Sequence, residues 1–266
     1  MAPRFSRGTP PAVLSIAGSD SGGGAGIQAD LKAFACVGVH GMTAITAITA
    51  QNTIGVEAVE AVSPRIVVAQ VRAVAEDIGV DAVKIGMLGT AEIVDAVVEA
   101  LGHVGEAPVV IDPVMVAESG AVLLNENARA ALIERLLPLT AVATPNIPEA
   151  RVLTGLGEGA SQKELARAVV ALGPKAVVVT GGHSEEMVDL FFDGSQVVEI
   201  PGARHPDGAA HGSGCTHSSA LAAYLALGEE PPEAARKARE VASAAVGAGL
   251  RGIGRGPGPV NALGVG

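Results

Sequence analysis

The stretch AVLSIAGSDSGGGAGIQADLKAF, from Ala12 to Phe34, reads as a strand, a glycine loop and a helix in immediate succession. Ala12–Ala17 is an apolar run ending in glycine, the pattern of a buried strand. Gly22 to Gly26 provide backbone that turns tightly and can come close to a ligand. From Gly26 to Val37, the residues Ile27, Leu31 and Phe34 recur at helical spacing. The same unit repeats along the chain. Strands are predicted at Met42–Ile48, Ala82–Ile85, Pro108–Ile111, Ala141–Ala143 and Ala176–Val179, with a short extended piece at Val56–Ala61. Val188–Phe192 and Val197–Ile200, joined by Asp193-Gly194, read as a hairpin. Helices are predicted from Pro64 toward Ala75 with Ser63 as cap, and at Thr90–Leu101, Asn125–Leu137 and Ile147–Leu153. A capping box at Ser161 opens another to Leu172, and two more follow at Gly214–Leu227 and Pro232–Ala248. Strands alternating with helices predict an α/β fold: a doubly wound, mostly parallel sheet with helices on both faces. Residues 11–266 read as a single domain behind a flexible segment, residues 1–10. Ligands of such sheets bind outside the carboxyl ends of the strands.

Composition narrows the functions. The chain has 266 residues, 48% hydrophobic and 17% charged, with 2% aromatics and no Trp. A core of Val, Ile, Leu and Ala follows, and a planar ligand would be gripped by aliphatic side chains and amides. The net charge of −10 argues against nucleic acid and anionic membrane surfaces, which are bound through Lys and Arg. An anionic nucleotide would need local fields. No uninterrupted run of about 20 apolar residues marks a transmembrane helix. Residues 1–10 lack a signal-peptide core. Cys36 and Cys215 make no disulfide framework, so a reducing, cytoplasmic setting is expected.

Five motifs carry the chemistry, four of them directly after predicted strands. His211-Gly212-Ser213-Gly214-Cys215-Thr216 turns sharply into a helix. The first N–H groups of that helix have no internal partner and the dipole makes that end positive, so it suits an anion such as phosphate. Cys215 lies where the anion would sit, and the helix end is expected to lower its pKa. A tight turn with Cys215 as a small buried hydrophobe is the alternative. In the first glycine loop, Asp30 stands one turn into the helix, either reaching a substrate hydroxyl or solvated. Gln51, after the second strand, carries a donor and an acceptor on one amide. It matches the edge of an aminopyrimidine or pyridine ring, or ties down its own loop. Asp112 and Glu149, at two further strand ends, could position Mg²⁺ through oxygen ligands or waters, although Glu149 could equally cap the helix it begins. Thr180-Gly181-Gly182-His183 offers backbone close to a nucleotide.

Seven segments in order resemble the hydroxymethylpyrimidine/phosphomethylpyrimidine kinases of thiamine synthesis, in the ribokinase-like superfamily. They are AGSDSGGGAGIQADLKAF (17–34), ITAITAQNT (45–53), KIGML (84–88), DPVMVAESG (112–120), TPNIPEA (144–150), GGH (181–183) and HGSGCT (211–216). The resemblance implies a ribokinase-like fold and ATP-dependent phosphorylation of 4-amino-5-hydroxymethyl-2-methylpyrimidine, then of its monophosphate to the diphosphate. It implies that Gly18, Asp30 and Gln51 hold the pyrimidine, with Met87 and Val114 lining its pocket. Gly212, Ser213 and Gly214 would form the anion hole, with Cys215 where many sugar kinases of the superfamily carry an aspartate base. Asn146, Thr180 and Gly182 would meet ATP, and Asp112 and Glu149 would serve Mg²⁺. A homodimer is implied as well. The chain departs from the family's usual residues at Glu118 and Thr180, where lysines are usual, at Gly208-Ala209-Ala210, at His217, where an apolar residue is usual, and in the Gly254–Pro259 stretch. Two rival readings stay open: a pyridoxal/pyridoxine kinase of the same sequence type, and a non-catalytic pyrimidine-binding protein.

Overall fold

The computed structural model describes residues 8–116, 123–182, 187–206 and 208–266. Most of the segment expected to be flexible, together with Glu118 and His183, lies outside the described residues. The chain runs β1 (Ala12–Asp20), α1 (Gly26–Val37), β2 (His40–Gln51), β3 (Val56–Ala61), α2 (Pro64–Asp77), β4 (Ala82–Ile85), α3 (Ala91–Leu101), β5 (Val109–Ile111) and α4 (Glu126–Ala131). It continues with β6 (Val142–Ala143), α5 (Ile147–Thr154), α6 (Gln162–Ala171), β7 (Ala176–Val179), β8 (Val188–Phe192), β9 (Val197–Pro201), α7 (Ser213–Ala226) and α8 (Pro231–Gly247).

Among the described residues nine strands form one sheet in the order β3-β2-β1-β4-β5-β6-β7-β8-β9. The pairs from β2 through β1 to β7 are parallel, and β3, β8 and β9 join antiparallel at the two edges. The chain leaves β1 toward β2 and returns on its other side as β4. The order therefore reverses at β1, and a crevice opens there above the carboxyl ends of the strands.

The alternation of side chains divides the core in two. Leu14, Ile16, Val83, Ile85, Ile111, Val177 and Val179 face α2 to α6. Val13, Ala82, Val110, Val142 and Val178 face α1, α7 and α8. Period-2 burial on both faces explains why these strands read as unbroken apolar runs. α7 is covered nearly all round, with Thr216 to Ala223 buried, and it packs against α1 and α8. Its composition of Ala, Ser and Gly lets it approach the sheet closely. No helix among the described residues is long and apolar enough to cross a membrane.

Several sequence expectations shift. β1 and β2 run on to Asp20 and Gln51, because parallel pairing of Ser19 with Ile48 and Asp20 with Thr49 carries the ladder past a bulge. Leu31, expected on the buried face of α1, is 37% exposed, and the buried positions include Asp30 instead. The helix expected over 125–137 breaks into α4, a π turn (Leu132–Leu136) and a 3₁₀ turn (Leu137–Leu139), the last containing Pro138, which lacks a helical N–H donor. α7 begins at Ser213, one residue early. Ser63 precedes α2 but its side chain makes no cap hydrogen bond. Ser161 does cap α6: its hydroxyl accepts from Glu164 N and its own N–H donates to Glu164 Oε2 at 2.8 Å.

The two serines give a matched test. Ser161→Ala is expected to lower stability by about 1 kcal/mol. Ser63→Ala is expected to change it by less than about 0.5 kcal/mol. Urea denaturation measures both, and equal losses would contradict the capping geometry.

Candidate active site

A cavity of about 720 Å³ lies above the carboxyl ends of β1, β4, β5, β6 and β7, against the start of α7. That volume suits a small-molecule ligand or two adjoining ones. Its wall includes Gly18, Gln51, Met87 and Val114, then Asp112, Asn146, Glu149, Thr180 and Gly182, then Gly212, Ser213, Gly214 and Cys215. Gln51 and Cys215, 164 positions apart in the sequence numbering, share one chamber.

Two glycine loops meet to shape it. Gly212 has φ +85°, and a Cβ there would lie 1.8 Å from the Gly24 carbonyl oxygen; a Cβ on Gly24 would strike the His211 ring. No side chain fits at either contact. Asp20 organises the first loop: its carboxylate accepts from the N–H groups of Gly22, Gly24 and Ala25 at 2.8 to 2.9 Å and lies 3.4 Å from His211 Nε2. Burial opposes its charge, but His211 and those amides outweigh burial and hold the pKa below the ordinary value. Asp20 stands in the glycine-loop motif, where the sequence alone gives it no role. Ser21 Oγ donates to the Gln51 carbonyl and accepts from the Gln51 N–H, which ties the loop after β1 to the end of β2. The Gly252–Gly258 turn also braces this region, through Arg255 N and Gly256 N onto Thr53 Oγ1.

At the ring end, Met87 Sδ sits 3.3 Å from where a Gly18 Cβ would stand, so glycine lets the thioether settle over the strand. Gln51 Oε1 accepts from Thr49 Oγ1 at 3.2 Å. At the other end, Asn146 and Glu149 form a capping box on α5, so the cap expected as an alternative for Glu149 exists. Glu149 also lines the cavity, its carboxylate accepting from the Asn146 N–H at 2.9 Å.

The start of α7 carries the polarity of the site. Ser213 N–H bonds the Ala210 carbonyl and Thr216 N–H the Gly212 carbonyl. The amides of Gly214 and Cys215 have no carbonyl partner among the described residues. The start of α1 lies here too, with Ala25 and Gly26 on the cavity wall beside Cys215. Two positive helix ends thus converge on this thiol. Nevertheless its pKa is not lowered. Burial pushes it up to about 12, with Lys84 pulling it down and Asp30 and Asp112 adding to the rise. The expectation of an activated thiolate fails because desolvation and two carboxylates outweigh the helix ends.

Asp30 is the residue the structure takes out of the site. Its side chain is fully buried beneath the cavity, bound by Ser15 Oγ at 2.6 Å, Lys84 Nζ at 2.8 Å and Ser219 Oγ at 2.8 Å. It is neither solvated nor free to meet a substrate hydroxyl. Lys84, which does line the cavity, went unassigned. The signal was present: a charged residue inside the buried strand Ala82-Val83-Lys84-Ile85, and an acid at an apolar position of α1.

Asp112 and Glu149 are both pushed above the usual carboxylate range. For Asp112 burial is the main cause, partly offset by Lys84 and Ser218; for Glu149 it is burial and then the charge of Asp112. Two desolvated carboxyls, with the charge of Asp112 raising the proton affinity of Glu149, fit a hard divalent cation, which replaces the proton as their counter-charge. No cluster of three or more His, Cys, Asp or Glu suited to a metal occurs among the described residues. The pair would therefore hold an ion that keeps water or ligand oxygens. Further along the wall, His217 is buried with Nε2 3.8 Å from Asp189, and Arg239 lies 3.5 Å from the same carboxylate. Burial holds the His217 pKa below its ordinary value. Arg204 and Arg239 also line this part, so cations gather locally in a chain of net charge −10.

Residues 20–261 match the family model described as phosphomethylpyrimidine kinase. A hydroxymethylpyrimidine/phosphomethylpyrimidine kinase of Rhizobium meliloti is 52% identical over 254 residues, covering 93% of this chain and 95% of that protein. The thiamine biosynthesis bifunctional protein ThiED of Geobacter sulfurreducens is 46% identical over 97% of this chain and 52% of its own length. Among solved structures, a pyridoxal kinase of Staphylococcus aureus in complex with AMP-PCP and pyridoxal superposes with a TM-score of 0.86 at 35% identity, over 96% of this chain and 94% of that one.

The carboxyl pair gives a test by pH. Glu149 is raised from 4.5 to about 8. A carboxyl raised on folding binds its proton more tightly in the native chain, so its contribution to stability is present at low pH and lost as the pH rises through that window. In metal-free protein, unfolding free energy between pH 4.5 and about 8 is expected to fall more steeply for the parent than for Glu149→Gln, which retains an N3 amide for the capping box. Parallel curves would contradict the assignment.

Proposed function

The chain belongs to the phosphomethylpyrimidine kinase family, and from that premise we propose that it phosphorylates 4-amino-5-hydroxymethyl-2-methylpyrimidine and then its monophosphate to the diphosphate, for thiamine synthesis. The observation that carries the reading is the single chamber joining Gln51 and Met87 at one end to the start of α7 and the Asn146–Thr180–Gly182 wall at the other. Gln51 matches the ring's amino and nitrogen edge, Gly18 leaves room beside Met87, and Val114 closes an aliphatic wall. The hydroxymethyl arm then extends toward Cys215.

ATP supplies the phosphoryl group, and Mg²⁺ held by Asp112 and Glu149 would offset charge on its phosphates. Asn146, Thr180 and Gly182 present polar atoms and backbone to the nucleotide. Phosphoryl transfer is chiefly positioning and charge stabilisation. The amides of Gly214 and Cys215, with Gly212 and Ser213 shaping the turn, receive the developing negative charge at a helix N-terminus. The hydroxyl oxygen gains the phosphoryl group, its proton passes to an oxygen of that group and on to water, and ADP departs. Because the Cys215 thiol is pushed up to about 12, it serves as a hydrogen-bonding group that orients the acceptor hydroxyl rather than as a thiolate base. The pyridoxal kinase reading draws support from the Staphylococcus aureus structure, since both rings carry a hydroxymethyl arm.

The deciding experiment presents the hydroxymethylpyrimidine, its monophosphate and pyridoxal in parallel, reading ADP release and the phosphorus NMR of the products. Turnover of both pyrimidines, with a diphosphate product, is expected. Turnover of pyridoxal alone overturns the reading, as does tight pyrimidine binding without ADP release. Cys215→Ala is expected to lower kcat by about 10-fold, the loss of one orienting hydrogen bond, while Cys215→Ser loses less. Full turnover by Cys215→Ala would refute the role given to the thiol.

A further inference from the structure

Lys84 stands in the middle of β4, between Val83 and Ile85, and its side chain emerges on the opposite face from theirs, toward α7. Its ammonium lies 2.8 Å from Asp30 Oδ1, and both side chains are 0% exposed. Asp30 is fully engaged: Oδ1 also accepts from Ser219 Oγ and Oδ2 from Ser15 Oγ. The pair therefore ties β1, α1, β4 and α7 together beneath the cavity. On the next serine of α7, Ser218 Oγ lies 3.3 Å from Asp112 Oδ2. A Cβ on Gly86 would stand 2.9 Å from Lys84 Nζ, so the missing side chain is what gives the ammonium its seat. An ammonium has three donors; Asp30 takes one, and Lys84 lines the cavity together with Cys215 and Asp112. Buried ion pairs are costly, and apolar replacements are often at least as stable. Charge kept in such a place, on the wall of a reaction chamber, points to use in the reaction.

We propose that Lys84 is a positioning residue for the phosphoryl transfer: anchored by Asp30 and seated over Gly86, its fixed positive charge holds Cys215 and the first turn of α7 ready for the negative charge that builds on the acceptor. The proposal rests on the kinase reading of the cavity. Burial pulls the Lys84 pKa down, but Asp30, Cys215 and Asp112 outweigh it and hold it above the ordinary lysine value, so the charge persists at neutral pH.

Lys84→Met alone leaves Asp30 buried without its counter-charge, so the informative protein is Asp30→Asn with Lys84→Met, in a Cys36→Ser background. A melting temperature within about 5 °C of the parent is expected, with kcat lowered on the order of 100-fold and the pyrimidine KM changed less than about threefold. Iodoacetamide should alkylate Cys215 more slowly at fixed pH, because the lost Lys84 charge had lowered the thiol's pKa by more than the lost Asp30 charge had raised it. A folded double variant with kcat near the parent's, or with unchanged alkylation, overturns the proposal. If the double variant does not fold, Gly86→Ala decides: it keeps every charge but displaces the ammonium, and kcat equal to the parent's overturns the proposal. A parent that turns over neither pyrimidine sinks the kinase reading instead, and the alkylation rates still decide the role of Lys84.

Discussion

The contact between Gly24 and Gly212 is the constraint on which the site depends. Two backbone segments from opposite ends of the chain press together where any Cβ would collide. One leads into α1 and the other into α7. Their meeting aims both helix starts at Cys215 and closes the chamber on the side of β1. The sheet supplies the ridge on which this happens, since its strand order reverses at β1. Asp20 then fixes the first loop through three backbone amides. Positive φ at Gly212 and the closeness of Gly24 are thus requirements of geometry rather than signs of flexibility.

Beneath that contact the molecule carries charge where solvent is absent. Lys84 and Asp30 are paired, while Asp112 and Glu149 share a wall with no counter-ion beyond Lys84 among the described residues. In a chain of net charge −10, binding polyanionic phosphates requires that local fields oppose the global one. Helix ends, a buried ammonium and the arginine side chains of the far wall meet that requirement. The chamber's chemistry is therefore electrostatic and preorganised, in keeping with phosphoryl transfer.

Much of this was legible in the sequence, for physical reasons. Apolar runs bounded by glycine identified β1 and β4, and the bounds of α1, β3, β4 and β7 match the structure residue for residue. Glycine-bearing strand ends located the chamber, because backbone freedom at that edge of a parallel sheet serves ligands. What escaped was the partnership of buried charges. Asp30 looked like a first-turn acid on a helix surface, and Lys84 looked like part of a motif. Only the fold brings α1 and β4 to the same side of the sheet, 54 positions apart. Likewise the helix end above Cys215 was visible, whereas the desolvation that reverses its effect on the thiol belongs to packing. Leu31 was misplaced for the same reason: the covered face of α1 is set by α7, which a local spacing rule cannot see.

The account's central claim is an arrangement, and a crystal structure with the hydroxymethylpyrimidine and a non-hydrolysable ATP analogue tests it most directly. The ring is predicted to lie against Gln51 and Met87, its hydroxymethyl oxygen within about 3.5 Å of the Cys215 sulfur, and the terminal phosphate against the amides of Gly214 and Cys215. A ring bound outside the chamber, or inside it with the hydroxymethyl arm turned away from α7, would contradict the account.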